Sequence, residues 1–291
     1  PIYGIVMYNK FHTTHIWVME VKMIYRRFGF ILAEGDTHIN SPQSKVKLGF
    51  TLAEVLITLG IIGVVAALTI PNLMTHLKNK KLESQFKKTY AELNIAARTF
   101  YSQEEASVHD ADVILYGGDN SGNKRSDLVL DKFMTYFKGY QKTTDSWWLE
   151  YDRTHKITQK NLNSIATEHY PCDESRVAID IVGRLYAFDN SSTQHNYSSG
   201  PKVCVDINGN DKPNQLGYDR FVFVFTENNA VVPYTGTSWN GFTENITDDT
   251  EIAKYCNYEL GADIPAFSCA YFALKDKSPD GKGTYWRNFL K

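Results

Sequence analysis

Among 291 residues the chain has only four cysteines and nine prolines, no Cys-x-x-Cys pair, and eight histidines scattered with none spaced to share a site. A zinc ribbon or finger needs closely spaced thiolate and imidazole ligands, so the zinc reading is weak. Positive charge is not in excess either: 31 Lys and Arg face 33 Asp and Glu, a net of −2. Residues 1–49 hold six basic and three acidic residues, which leaves 25 against 30, or −5, for residues 50–291. A mildly acidic body argues against general nucleic-acid binding, because phosphates require a basic face. The Gly-rich run at 117–123, GGDNSGN, lacks the Lys-Ser/Thr pair and flanking strand of a phosphate loop and reads as a flexible connector. Ser, His and Asp occur, yet no spacing marks a nucleophile with its base, and no catalytic constellation emerges.

What the chain does have is apolar length in one place. From Phe50 to Thr69 every residue is apolar or small except Glu54. About 20 such residues at 1.5 Å rise cross a hydrocarbon layer of about 30 Å, so this stretch predicts a membrane-spanning helix over 50–70. A signal anchor for an extracytoplasmic enzyme or ligand-binding domain explains that length. It leaves the carboxylate unexplained, since a charge near the end of a span is costly unless paired and is a functional candidate by default.

The junction Gly49-Phe50, the carboxylate on the fifth residue counted from Phe50, the apolar run and Pro71 together resemble the type IV prepilin signature of type IV pilins and of the pseudopilins of type II secretion. The resemblance implies that a prepilin peptidase removes residues 1–49 by cutting between Gly49 and Phe50. It also implies that Phe50 becomes the N-methylated first residue, and that Glu54 pairs with the α-ammonium of a neighbouring subunit during filament assembly. Implied partners are the chain itself, other pilin-like subunits, the peptidase, the bacterial inner membrane and a secretion or pilus assembly machinery. The implied location is single-pass in that membrane with an extracytoplasmic head.

The leader is long and does not begin with Met; Met7, Met19 and Met23 are candidate starts. Within it, Gly29-Phe30-Ile31-Leu32-Ala33-Glu34 copies the pattern of Gly49 to Glu54, but Gly35, Asp36 and Pro42 follow and cannot continue a span. Only the second copy reads as a processing site. Charge counting conflicts with the implied orientation, because Lys78, Lys80, Lys81, Lys87 and Lys88 follow the span and rival the basic residues ahead of it. The lysine run is read as a solvated helix face.

After Pro71 the pattern turns amphipathic, with Leu73, Leu77, Leu82, Phe86, Tyr90, Leu93, Ala97 and Phe100 at mostly three- and four-residue steps. One long helix is expected to reach about Ser102, its second part over 71–103, with a kink or local melting at Pro71 and a span loosened by Gly60 and Gly63. Residues 104–291 form the head. Residues 126–136 read as a short capped helix that buries Leu128 and Phe133 with Phe137 nearby, and Trp147 and Trp148 as core or rim of the head. From Val177 the period becomes two: 177–181 and 185–188 form a hairpin, followed by strands at 203–207, 221–226 and 231–234. Antiparallel strands after a long helix give an α+β fold, the pilin-like arrangement, with the sheet packed on the distal part of the helix.

Cys172, Cys204, Cys256 and Cys269 allow three pairings, and outside the membrane they are expected to be oxidised. The resemblance to pilin-like heads favours Cys256 with Cys269, which leaves Cys172 with Cys204. Asn190, Asn196 and Asn245 begin glycosylation sequons that carry little weight. One loop, residues 206–219, has oxygen ligands at alternate positions, Asp206, Asn208 and Asn210, with Asp219 to close the set. That spacing wraps Ca²⁺ in EF-hands. Here Asp211 stands where the EF-hand has Gly and Gly217 where it has Glu, so the resemblance is to the looser calcium loops of some pseudopilins. An ordinary Asx/Gly turn accounts for it equally. No cofactor beyond Ca²⁺ is expected.

Overall fold

The computed structural model describes residues 50–116, 126–137, 139–173, 175–189, 201–235, 248–261 and 266–290. The leader with Gly49, the connector at 117–123 and the sequons at Asn190, Asn196 and Asn245 lie outside them. The chain divides into two units, Pro1–Thr58 and Leu59–Lys291. Of the first, the structure describes the start of the long helix α1, Leu52–Glu104, which continues into the second. It is long and apolar enough to cross a membrane.

α1 is helical without a break through Pro71, so the chain does not melt there. The ring removes one backbone donor, and hydroxyls back-bond to the helix on either side: Thr69 Oγ1 donates to Val65 O at 2.9 Å and Thr75 Oγ1 to Pro71 O at 3.1 Å. Leu59, Ile61, Ile62, Val64, Val65, Leu68, Leu73, Met74 and Leu77 are exposed. Burial begins at Asn79 and follows helical spacing through Leu82, Phe86, Thr89, Leu93, Ala96, Ala97 and Phe100. Leu73 and Leu77 therefore continue the apolar surface of the span instead of opening the head-facing stripe. The helix ends at Glu104, two residues past the expected end.

The head is built on one six-stranded antiparallel sheet in meander order: β1 Gln141–Lys142, β2 Ala178–Ile179, β3 Leu185–Asp189, β4 Lys202–Asp206, β5 Arg220–Phe225 and β6 Val231–Pro233. β1 carries no apolar pattern and went unseen in the sequence; the other five fall where the period of two placed them. Both faces of the central strands are buried. Tyr186, Phe188, Val203, Val205, Phe221, Phe223 and Phe225 face α1, while Leu185, Ala187, Cys204, Val222 and Val224 face a second layer with Trp148, Tyr151, Tyr170, Tyr234 and Phe267. Phe86 is the pivot on the helix side, with its ring centroid 4.6 Å from Phe221, 5.7 Å from Phe223 and 5.5 Å from Trp286.

Shorter helices close the head: α2 Ala111–Tyr116, α3 Ser126–Met134, α4 Trp148–Thr154, α5 Asp249–Ala253, α6 Cys269–Lys275 and a π-helical turn at Tyr285–Phe289. In α3 the buried face is Val129, Leu130, Phe133 and Met134, and Leu128 is exposed, a correction of one helical position. Trp148 is buried and Trp147 sits at the rim. The disulfides join Cys172 to Cys204 and Cys256 to Cys269, one in each layer.

The β2–β3 turn fastens the sheet to α1. Asp180 Oδ1 accepts the backbone N–H of Val182 and of Arg184, both at 3.0 Å, which fixes an Asx turn. The Arg184 guanidinium then reaches Asp180 Oδ2 at 2.6 Å, Thr89 Oγ1 at 2.9 Å and the Glu92 carboxylate. Gly209, at φ +69°, lets the 206–219 loop press against this turn: a Cβ there would lie 2.1 Å from the Gly183 carbonyl oxygen.

Candidate functional site

The helix start is where sequence and geometry converge. Thr51 precedes the first helical residue, and its Oγ1 accepts the Glu54 N–H at 3.2 Å. In return Glu54 Oε2 accepts the Thr51 N–H at 2.8 Å and the Thr51 hydroxyl at 2.9 Å. This is a reciprocal capping box of the Thr-x-x-Glu kind, which satisfies two backbone donors that a helix end otherwise leaves open. The carboxylate also lies in the first turn, where the helix dipole favours negative charge. The sequence signal for this box is the spacing Thr51-x-x-Glu54 just ahead of the apolar run.

The box uses only one carboxylate oxygen. Glu54 Oε1 has no hydrogen-bond partner among the described residues, and both Phe50 and Glu54 are exposed. Chemically this is an anchored anion at the head of an apolar helix, with one oxygen that meets no donor among the described residues.

The second place singled out by sequence, the 206–219 loop, is built around a different charge. The β4–β5 ladder sets Asp206 opposite Arg220. Arg220 Nε donates to Asp206 Oδ2 at 2.9 Å, and Nη1 and Nη2 grip both oxygens of Asp152 at 2.6 and 3.0 Å. Gln159 Oε1 at 3.2 Å and Asn214 Oδ1 at 3.4 Å take the remaining donors, so all five guanidinium N–H groups are used. Trp148 lies under the guanidinium at 5.1 Å, and Tyr170 donates to Asp152 Oδ2 at 2.6 Å.

Asp219 accepts the backbone N–H of Asn214 at 2.9 Å and of Gln215 at 2.6 Å. Asn210 Oδ1 instead accepts the Tyr151 hydroxyl at 3.1 Å, and the backbone N–H of Asn208 reaches Asp206 Oδ1 at 3.3 Å. Oxygens of Asp206, Asn210 and Asp219 are thus engaged by protein donors, Asn208 Oδ1 is not, and the guanidinium supplies the positive charge. Among the described residues no group of three or more His, Cys, Asp or Glu could hold a metal ion.

Burial sets the electrostatics of this centre. It pushes Asp219 up to about 6, against the pull of the Gln215 and Asn214 amides and of Arg220. Burial and then the Asp219 carboxylate push Asp206 well above the usual carboxylate range, with Arg220 opposing. Burial works against the charge on Arg220, yet Asp206 and Asp152 hold its guanidinium above the usual arginine range. Arg220, Asp152, Tyr170 and Gln159 had no signal in the sequence, because each stands alone there and only the fold brings them together.

Residues 44–70 match the family model described as the prokaryotic N-terminal methylation motif. No curated protein and no solved structure matches the chain. The matched segment contains Gly49, Phe50, the Thr51–Glu54 box and the apolar helix up to Ile70, and so the chain carries the prepilin-type signal that is the hallmark of type IV pilins and pseudopilins.

Proposed function

We propose that this chain is a structural subunit of a type IV pilus-like or type II secretion pseudopilus filament, anchored in the bacterial inner membrane with its head outside the cytoplasm. A prepilin peptidase cuts between Gly49 and Phe50 and methylates Phe50. In the filament, the α-ammonium of a neighbouring subunit pairs with Glu54. The observation that carries this reading is the carboxylate itself: within a segment that matches the methylation motif, Glu54 is held by Thr51 through Oε2 and keeps Oε1 open. Two charges that are each costly to place in a membrane become tolerable as a pair.

The role is structural and not catalytic. The test is to replace residues 50–75 with an unrelated membrane anchor, and separately to make Glu54→Ala, in cells that hold the assembly machinery. Both changes are expected to abolish incorporation into filaments while the head keeps its disulfides and its unfolding temperature. Incorporation at parental level by either variant would remove the proposal.

A further inference from the structure

The five lysines beyond the span are not equivalent. Lys87 pairs with Glu83 at 2.5 Å and Lys88 with Glu92 at 3.9 Å, ordinary i,i+4 pairs on a solvated helix face. Lys78 and Lys81, one turn apart on α1, have no ion-pair partner among the described residues, and neither has Lys212 on the 206–219 loop. These three line a groove of about 260 Å³ between helix and loop, together with Leu82, Gln85, Asn208 and Asp211. Three ammonium groups face one carboxylate there.

Two further atoms point to a missing ligand. Gln85 Oε1 and Asn208 Oδ1 are buried and have no hydrogen-bond partner. A buried polar atom left unpaired costs about 1–3 kcal/mol, and turning the Gln85 amide over would offer an N–H₂ donor at the same point, whereas Asn208 Nδ2 already donates to the Lys212 carbonyl at 3.4 Å. The exposed apolar side chains of α1 run through Leu73, Met74 and Leu77, one residue before Lys78. The groove therefore begins just beyond the run of exposed apolar side chains on α1.

We propose that this groove is a binding site for the phosphodiester of an anionic phospholipid headgroup, seated between Lys78, Lys81 and Lys212, with the Gln85 amide as a neutral partner. It also accounts for a lysine excess on the side of the span where the positive-inside rule does not place one. The inference rests on the membrane-anchoring part of the function proposed above. It does not depend on filament assembly.

The full chain is to be placed in nanodiscs of phosphatidylcholine and of equimolar phosphatidylcholine and phosphatidylglycerol, and the lipids that remain bound after extraction counted by native mass spectrometry. Failure to enter the phosphatidylcholine discs would count against anchoring itself. Given entry, the parent is expected to retain phosphatidylglycerol preferentially. K78Q/K81Q/K212Q is expected to lose about fivefold of that preference per lysine, the equivalent of about 1 kcal/mol each near an anionic surface. K80Q/K87Q/K88Q, with the same change in charge, should keep the parental preference, and both variants should unfold at the parental temperature.

Equal retention of the two lipids by the parent, or an equal loss in the two variants, would overturn the site. Displacement of the bound lipid by glycerol 3-phosphate in solution would assign the groove to a free phosphate and also overturn it. So would unchanged lipid retention with lost self-association in K78Q/K81Q/K212Q, which would give the groove to an acidic face of a second copy.

Discussion

Glu54 combines a helix cap with a free anion, and the two roles separate in the amide variant. Glu54→Gln keeps a carbonyl oxygen for the Thr51 donors, so the helix start should persist to within about 1 kcal/mol, while the charge is lost. Filament incorporation is expected to fail in both Glu54→Gln and Glu54→Ala, with unchanged helicity of the amide variant by circular dichroism in detergent. Parental incorporation by the amide would show that capping, not charge, is what assembly needs. A second residue-scale outcome concerns Asp219. Its carboxyl titrates near 4 in the unfolded chain and about 6 when folded, so between those values the native state holds a proton that the unfolded state has released. Stability should therefore fall as pH rises from about 4 through about 6, and Asp206, also raised by burial, extends the fall to higher pH. Urea unfolding across that range, with disulfides intact, should show a steeper slope in the parent than in Asp219→Asn; equal slopes would contradict it. Because Arg220 occupies the centre of this loop, the unfolding temperature is expected to be the same in EDTA and in millimolar Ca²⁺. A calcium-dependent rise that Asp206→Ala abolishes would reinstate the metal reading.

At the scale of elements, the helix and sheet depend on each other through Phe86. Its ring meets Phe221, Phe223 and Trp286, so Phe86→Ala should cost about 3–5 kcal/mol in chemical unfolding of the head. Leu73→Ala, on the exposed part of the same helix, should change it by less than about 0.5 kcal/mol; similar losses would place the head contact elsewhere. The disulfides differ in the length of chain they close. Cys172–Cys204 spans 32 residues and Cys256–Cys269 spans 13. Paired Cys→Ser replacement should cost about 4 kcal/mol for the first and about 3 for the second on a chain-entropy account, read from the shift in denaturation midpoint. These elements were legible to different degrees. Strands rich in Val and Phe declare themselves by local pattern, and the helix by its spacing from Leu82 to Phe100. β1 could not be read, because Gln141 and Lys142 are exposed and owe their pairing wholly to β2. The Asp152–Arg220 clamp was equally silent, since its members lie 68 residues apart and meet only across the finished sheet.

For the whole molecule, one short segment carries most of the functional meaning. The match to the methylation motif ends at residue 70, and the head's architecture adds an α+β frame without naming a particular filament system. Its legibility follows from membrane physics: an apolar run with a single carboxylate can be recognised without any knowledge of tertiary contacts, whereas the surfaces that select partners are assembled from distant residues. The central claim is that this segment is processed. Intact-mass analysis of the chain extracted from membranes of cells that contain a prepilin peptidase tests it most directly. The account predicts a species that begins at N-methyl-Phe50, and a chain that retains residues ahead of Phe50 in those cells would contradict it.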